Sequence, residues 1–348
     1  MNPKDLLFAM NDLDDDLLLD AQEPAPIRTH SPRRLMTVLI AAAFVLSLAA
    51  CGVAVRYFGN NLIFNYFRSG STEGLTESQV AYLEENSQGI AQSQTVDGYT
   101  ITVDSAITDG QDVYIGLTIT APEGTVLDAD QYGFLDGISL ISDDSASYYM
   151  GCGITLENGV LKAALSAHDI FSHGERVGSF ANGKPWTLTI HGLTARYNDG
   201  GNGYWIRPTL TDGTWTFDIR FEATTDILEL VTDPVITTVD NSRALNDDPF
   251  GDLSTLPPNY AEIRITSMQL RSLSLSLTYE YLSDYDLEVS CQLGNPTVVN
   301  KDGTQILLTD QTGGWDGSMS FRASAPILFS EADYLLFPDG TQVDIPER

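Results

Sequence analysis

The uncharged apolar run Leu35–Val55 constrains this chain more than any other feature. Its 21 residues are Leu, Ile, Val, Ala, Phe, Met and Gly, interrupted only by Thr37, Ser47 and Cys51. A helix rises ~1.5 Å per residue and a bilayer core is about 30 Å thick, so the run is long enough to cross once. This predicts a cytoplasmic segment over residues 1–34, a transmembrane helix over 35–57, and a large remainder on the other side. Arg28, Arg33 and Arg34 precede the run, whereas Arg56 and Arg68 follow it, which places the N-terminus in the cytoplasm. Leu48-Ala49-Ala50-Cys51 also fits a lipoprotein cleavage site with an acylated Cys51. The preceding segment is acidic rather than compact and basic, and the apolar run continues through Val53-Ala54-Val55, so an uncleaved anchor is preferred. Both readings put the C-terminal part outside the cytoplasm, at the cell membrane.

The N-terminal segment has a pattern of its own. Asn2 and Pro3 suit a helix cap and first position, and Leu6, Met10, Leu13 and Leu17 recur at spacings of four, three and four. These four side chains share one helical face, while Asp12, Asp14, Asp15, Asp16 and Asp20 make much of the rest acidic. A helix this short cannot build a core, so the stripe is the expected partner-binding face. Without a partner the segment would be a tail that is helical only transiently. Residues 58–94 read as a juxtamembrane linker. In it Thr76-Glu77-Ser78-Gln79 matches a capping box and predicts a short helix from about Glu77 to Asn86.

From Thr95 the period changes to two. Tyr99–Val103, Val113–Ile119, Val160–Leu165, Trp186–His191 and Trp215–Phe221 all alternate. Asp109-Gly110, Asn158-Gly159, Asn182-Gly183 and Asp212-Gly213 punctuate them as turns. Residues 240–259, rich in Asn, Asp and Pro, read as a linker, followed by further strands such as Ile263–Leu270, Leu273–Tyr281 and Met319–Ala323. In Leu273–Tyr281, the residues Leu273, Leu275, Leu277 and Tyr279 fall on one face. The expected fold is mainly β: two antiparallel sandwich ectodomains, 95–239 and 260–348, after a single transmembrane helix and a short N-terminal cytoplasmic helix.

Charge and composition narrow the function. Beyond Val55 there are 14 basic and 41 acidic residues, a net charge of −27, which excludes nucleic acid as a partner of the exported part. Cys152 and Cys291 are expected to be buried as small apolar residues, with a single bridge as the alternative. His168 and His173 lie in a loop-like stretch whose spacing matches no zinc pattern, and are expected as partly exposed loop residues. The Asp- and Asn-rich stretches Asn198–Asn202 and Asn246–Asp252 do not follow a calcium-loop spacing. No nucleophile elbow, P-loop or dinucleotide glycine pattern occurs. The expectation is a non-enzymatic protein with no cofactor and no metal site.

The layout resembles a group of Gram-positive single-pass membrane proteins of unknown function, often linked to sigma factors and described as of the anti-sigma factor type. The residues that carry the resemblance are Asn11-Asp12-Leu13-Asp14-Asp15-Asp16-Leu17-Leu18, the basic tether and single crossing, and Leu75–Asn86. The strand pair Gly98–Val103 with Val113–Glu123 and the regions Ser272–Tyr281, Lys301-Asp302-Gly303-Thr304 and Pro326-Ile327 extend it. The resemblance implies an Ig-like ectodomain, a regulatory role, and a cytoplasmic sigma factor held through Leu6, Met10, Leu13 and Leu17. An unknown envelope ligand would meet the ectodomain. The competing expectation is a membrane- or lipid-anchored extracellular structural or adhesive module.

Overall fold

Alternating residues with dense Gly turns build antiparallel sheets almost throughout the part of the chain that can be described. The computed structural model describes residues 62–68 and 74–347, except 136, 143–146, 169–170, 173–174, 177–179, 181–182, 199–204, 225, 231–232, 241–258, 283–292 and 314–316. The face formed by Leu6, Met10, Leu13 and Leu17, the run Leu35–Val55 and most of the expected linker lie outside these residues. Among the described residues no helix is long and apolar enough to cross a membrane.

Helix α1 spans 62–68 and helix α2 spans Glu77–Asn86. The capping box forms as expected: the Thr76 hydroxyl accepts from Gln79 N–H (3.2 Å) and Gln79 Oε1 accepts from Thr76 N–H (3.0 Å). The Gln79 side chain is itself buried and donates onward to the Pro326 carbonyl (2.9 Å), so the cap also fastens the helix to the second β body.

The first β body comprises β1 (Gln88–Val96), β2 (Tyr99–Thr108), β3 (Asp112–Thr120), β4 (Gln131–Gly133), β5 (Ile138–Ser142), β6 (Ser147–Tyr149), β7 (Gly151–Glu157) and β8 (Val160–His168). It continues with β9 (Phe171–Ser172), β10 (Glu175–Arg176), β11 (Pro185–Asn198), β12 (Trp205–Ile206) and β13 (Thr209–Arg220). One sheet runs β1-β2-β3-β8-β7. The other runs β12-β11-β5-β6, with β4 and β13 also paired to β11. Both contribute to one core, in which Ile101, Val103, Ile115, Leu117 and Leu165 meet Trp186, Leu188, Trp215, Phe217 and Ile219. Asn158-Gly159 turns as expected, with φ of 52° and 79°, and Asp97-Gly98 does the same between β1 and β2 (50° and 82°). Asp212-Gly213 differs from expectation. It lies inside β13 beside a register shift against β11, and a side chain at Gly213 would strike Val96 at 2.6 Å, so the glycine there serves close packing and not a turn.

Strand β1 was expected as linker because it has few apolar residues. Its glutamines explain its presence. Gln88 Nε2 donates to the Arg220 carbonyl (2.9 Å), Gln92 Nε2 donates to the Asp218 carbonyl (2.8 Å), and Thr216 N–H donates to Gln94 Oε1 (2.7 Å). Side-chain amides thereby satisfy the outer backbone groups of β13 and close one seam between the two sheets.

The second β body comprises β14 (Ile227–Leu230), β15 (Val235–Asp240), β16 (Asn259–Arg271), β17 (Ser274–Tyr281), β18 (Thr297–Asn300), β19 (Gln305–Gly313), β20 (Ser318–Ala323), β21 (Ala332–Leu336) and β22 (Gln342–Asp344). They form a single sheet ordered β14-β16-β17-β20-β19-β18-β21-β22, with β15 also paired to β16. Strand β19 carries the sheet around. Its first residues pair with β18 and its later ones with β20, with a register shift between Thr309 and Thr312 where Asp310 has φ 52°. The two halves share a core that includes Ile265, Leu275, Leu277, Phe321, Val298, Leu335 and Val343. Because β14 and β15 pair with β16, the chain passes from the first body to the second between Phe221 and Ile227, ahead of the stretch 240–259.

Candidate functional site

The alternation in β17 and β20 buries both faces. Leu275, Leu277, Met319 and Phe321 enter the second core, while Ser274, Ser276, Ser320 and Arg322 share the opposite face, set side by side by the pairs Ser274↔Arg322 and Ser276↔Ser320. The three serines are at most 5% exposed because the first body covers them. Small hydroxyl residues allow its β2–β3 turn to approach closely and still offer hydrogen bonds.

That turn, Asp109-Gly110-Gln111, ends in a buried acidic prong. Asp109 Oδ1 accepts the N–H groups of Gln111 (3.0 Å) and Asp112 (2.9 Å), which shapes the turn. Its Oδ2 accepts across the junction from Leu273 N–H (3.1 Å) and the Ser274 hydroxyl (2.6 Å). Arg271 Nη1 donates to the Asp109 carbonyl (3.3 Å), and the Ser276 hydroxyl donates to Gln111 Oε1. Burial, reinforced by the nearby Asp112 charge, raises the Asp109 pKa above the usual carboxylate range, although the hydrogen bonds from Ser274, Asp112 and Gln111 pull the other way.

Three residues beyond the prong residue, Asp112 joins a second set of contacts. His168 Nδ1–H donates to Asp112 Oδ1 (2.6 Å), and Arg322 Nε donates to the same oxygen (3.2 Å). His168 Nε2 meets the Ser320 hydroxyl, which also pairs with Thr312 Oγ1 (2.9 Å). Arg322 Nη1 donates to Ser166 Oγ (3.3 Å). The Asp112 charge holds the Arg322 pKa above its ordinary value despite burial, which acts the other way.

The expected loop position of His168 is therefore corrected. It ends β8, is 4% exposed, and is paired on both ring nitrogens. The reason lies in residues distant in sequence, since Asp112 and Ser320 supply the two partners. Carboxylate, imidazole and hydroxyl stand in the order of a hydrolytic triad. A nucleophile must also be reached by its substrate, and Ser320 is 1% exposed between the two bodies. The surface grooves beside Leu230 and Val343, beside Thr76 and Asn300, and beside Gln88 and Arg220 do not include Ser320, His168 or Asp112. What this arrangement does chemically is fasten one β body to the other by charge-assisted hydrogen bonds.

The helices close the junction. Ile63 and Phe67 of α1 and Leu83 of α2 pack with Ile107 and Tyr114 of the first body and Leu273 of the second, all fully buried. The rings of Tyr66 and Phe67 lie 5.0 and 4.7 Å from that of Tyr114. The Tyr82 hydroxyl donates to Ser272 Oγ (2.6 Å), and its own pKa is raised chiefly by burial. Leu273 departs from the expected strand face. It lies in the turn between β16 and β17 and points into this third cluster, leaving Leu275, Leu277 and Tyr279 in the second core.

Other sequence candidates are placed apart from this junction. His191 pairs with Thr214 Oγ1 (3.0 Å) at a solvent-exposed position. Cys152 is a free and exposed thiol on β7, not the buried residue expected, because β7 is an edge strand. Cys291 lies outside the described residues. Among the described residues no group of three His, Cys, Asp or Glu side chains is placed to hold a metal ion.

Residues 30–121 match the model of a domain of unknown function, DUF4179. The matched span runs from the apolar run through both helices to the end of β3 and includes the Asp109–Asp112 prong. No curated protein matches the chain. Among solved structures, a conserved domain protein from Bacillus anthracis is 14% identical, with a TM-score of 0.43 over 72% of this chain and 76% of its own. A DUF4426 family protein from Pseudomonas aeruginosa PAO1 is 11% identical, with a TM-score of 0.25 over 38% of this chain and 98% of its own. Residues 217–571 of S. aureus TarS are 13% identical, with a TM-score of 0.17 over 77% and 74%. At these values the likenesses do not establish a shared fold.

Proposed function

We propose that this chain is a bitopic envelope-signalling protein of the anti-sigma factor kind. Leu35–Val55 crosses the membrane once, the face Leu6, Met10, Leu13 and Leu17 holds a cytoplasmic sigma factor in a groove, and two Ig-like β ectodomains contact envelope material. The observation that supports this reading is the seating of α1. Six residues separate Val55 from its first residue, so the seven steps between them reach at most about 25 Å. A segment that only tethered an ectodomain would need no burial, yet Ile63 and Phe67 are gripped by side chains from both β bodies. A displacement between the bodies thus acts directly on chain that leads into the apolar run.

The test uses the full chain solubilised from native membranes, beside the same chain carrying Leu13→Asp. The expected outcome is a sigma factor retained by the native chain and lost from the variant, with membrane insertion unchanged. Equal retention by both sinks the helix-face reading. Lipid on Cys51 with loss of residues 1–50 would replace it with the anchored adhesive module.

A further inference from the structure

The first and second β bodies each have a hydrophobic core of their own, and between them lie hydrogen bonds, a buried ion pair and the small apolar cluster around α1. The prong sets the Asp109 main-chain carbonyl against Arg271 and the Asp112 carboxylate against Arg322. Asp112 Oδ2, Gln111 Nε2 and the Tyr114 hydroxyl are buried without a protein hydrogen-bond partner. Separating such a junction returns charges and unpaired polar atoms to water while leaving both cores intact, so it costs less than opening either core.

The same few residues form the seat of α1. Ile107 and Tyr114 are paired with each other across the β2–β3 hairpin, next but one to the prong. Leu273 donates its N–H to Asp109 Oδ2, while its side chain lies fully buried against Ile63 and Phe67. The seat is therefore complete only when the prong is home. We infer that the junction is a catch. Closure of Asp109 on Leu273 and Ser274 makes the socket that holds helix 62–68, and opening the prong releases that helix. Asp109 is the positioning residue, acting through Leu273. The catch rests on the signalling reading for its purpose, while its geometry and test are independent of any cytoplasmic partner.

Hydrogen exchange on the full chain in detergent tests it. Asp109→Asn keeps an acceptor for the turn but sets an amide N–H against Leu273 N–H. The expected result is at least tenfold faster exchange in peptides covering 62–68, with no change in Trp186–Ile190 or Thr297–Asn300. Coupling between sites is reciprocal, so Phe67→Ala should speed exchange of the peptide covering 272–274 by a similar factor. The catch is overturned if either variant loosens only its own side, or if the core peptides accelerate together with the junction, which would make the whole one cooperative unit. Leu13→Asp should leave all these rates unchanged, so failure of partner capture and failure of the catch are separate results.

Discussion

Asp104 shows how a single buried carboxylate shapes stability. It sits at a register shift between β2 and β3, is 7% exposed, and accepts from the Thr118 hydroxyl (2.6 Å). Burial pushes its pKa up from 3.8 to about 6, against the opposing pull of Thr118 and Lys162. The unfolded chain releases this proton near pH 4 and the folded chain only near pH 6. Its contribution to stability therefore falls as pH rises through that window and stays lowered above it. Asp104→Asn retains an acceptor for Thr118. It should raise stability at pH 7 by on the order of 2 kcal/mol and flatten the pH dependence between 4 and 6, measured by urea unfolding across that range. Lys162 already pairs with Glu157 (2.9 Å), so the substitution does not strand its charge.

At the scale of elements, the glutamine seam protects an otherwise open strand. The backbone groups of β13 that β11 does not use are met by Gln88, Gln92 and Gln94 and not by another strand. Replacing Gln92 and Gln94 with Val would leave the Asp218 carbonyl and Thr216 N–H unpaired on an edge of higher β propensity. The double variant should self-associate at concentrations where the native chain does not, which light scattering would show. An unchanged mass would mean that the seam excludes other strands by shape and not by hydrogen bonding.

For the whole molecule, the joint between the bodies matters most. Arg322 compensates Asp112 across it, and Asp112 is fully buried. Arg322→Met leaves that carboxylate with His168 alone and should destabilise the protein by about 3 kcal/mol. Paired with Asp112→Asn, the loss should be smaller than the sum of the two single changes, because the second substitution removes the stranded charge. Additive losses, read from denaturant unfolding, would show that the two groups do not act as a pair.

The capping box, the period-two strands and the Asp109-Gly110 and Asn158-Gly159 turns were legible in the sequence because they are local. Thr76 and Gln79 reach each other within one turn of helix, and alternation assigns Leu275 and Phe321 to a core without knowing which core. Strand β1 was not legible, since its glutamines earn their place only against the backbone of β13. The serine face of β17 and β20 reads in the sequence as a solvent face, and only the covering first body makes it an interior one. His168 is the clearest case. Its own neighbourhood is polar and loop-like, whereas its partners Asp112 and Ser320 stand 56 and 152 residues away. By itself the sequence determined the β alternation, the acidic character and the apolar run, all properties of neighbouring residues. Only the tertiary structure decided that two cores meet at a polar junction around α1, because that depends on side chains that folding, not chain order, brings together.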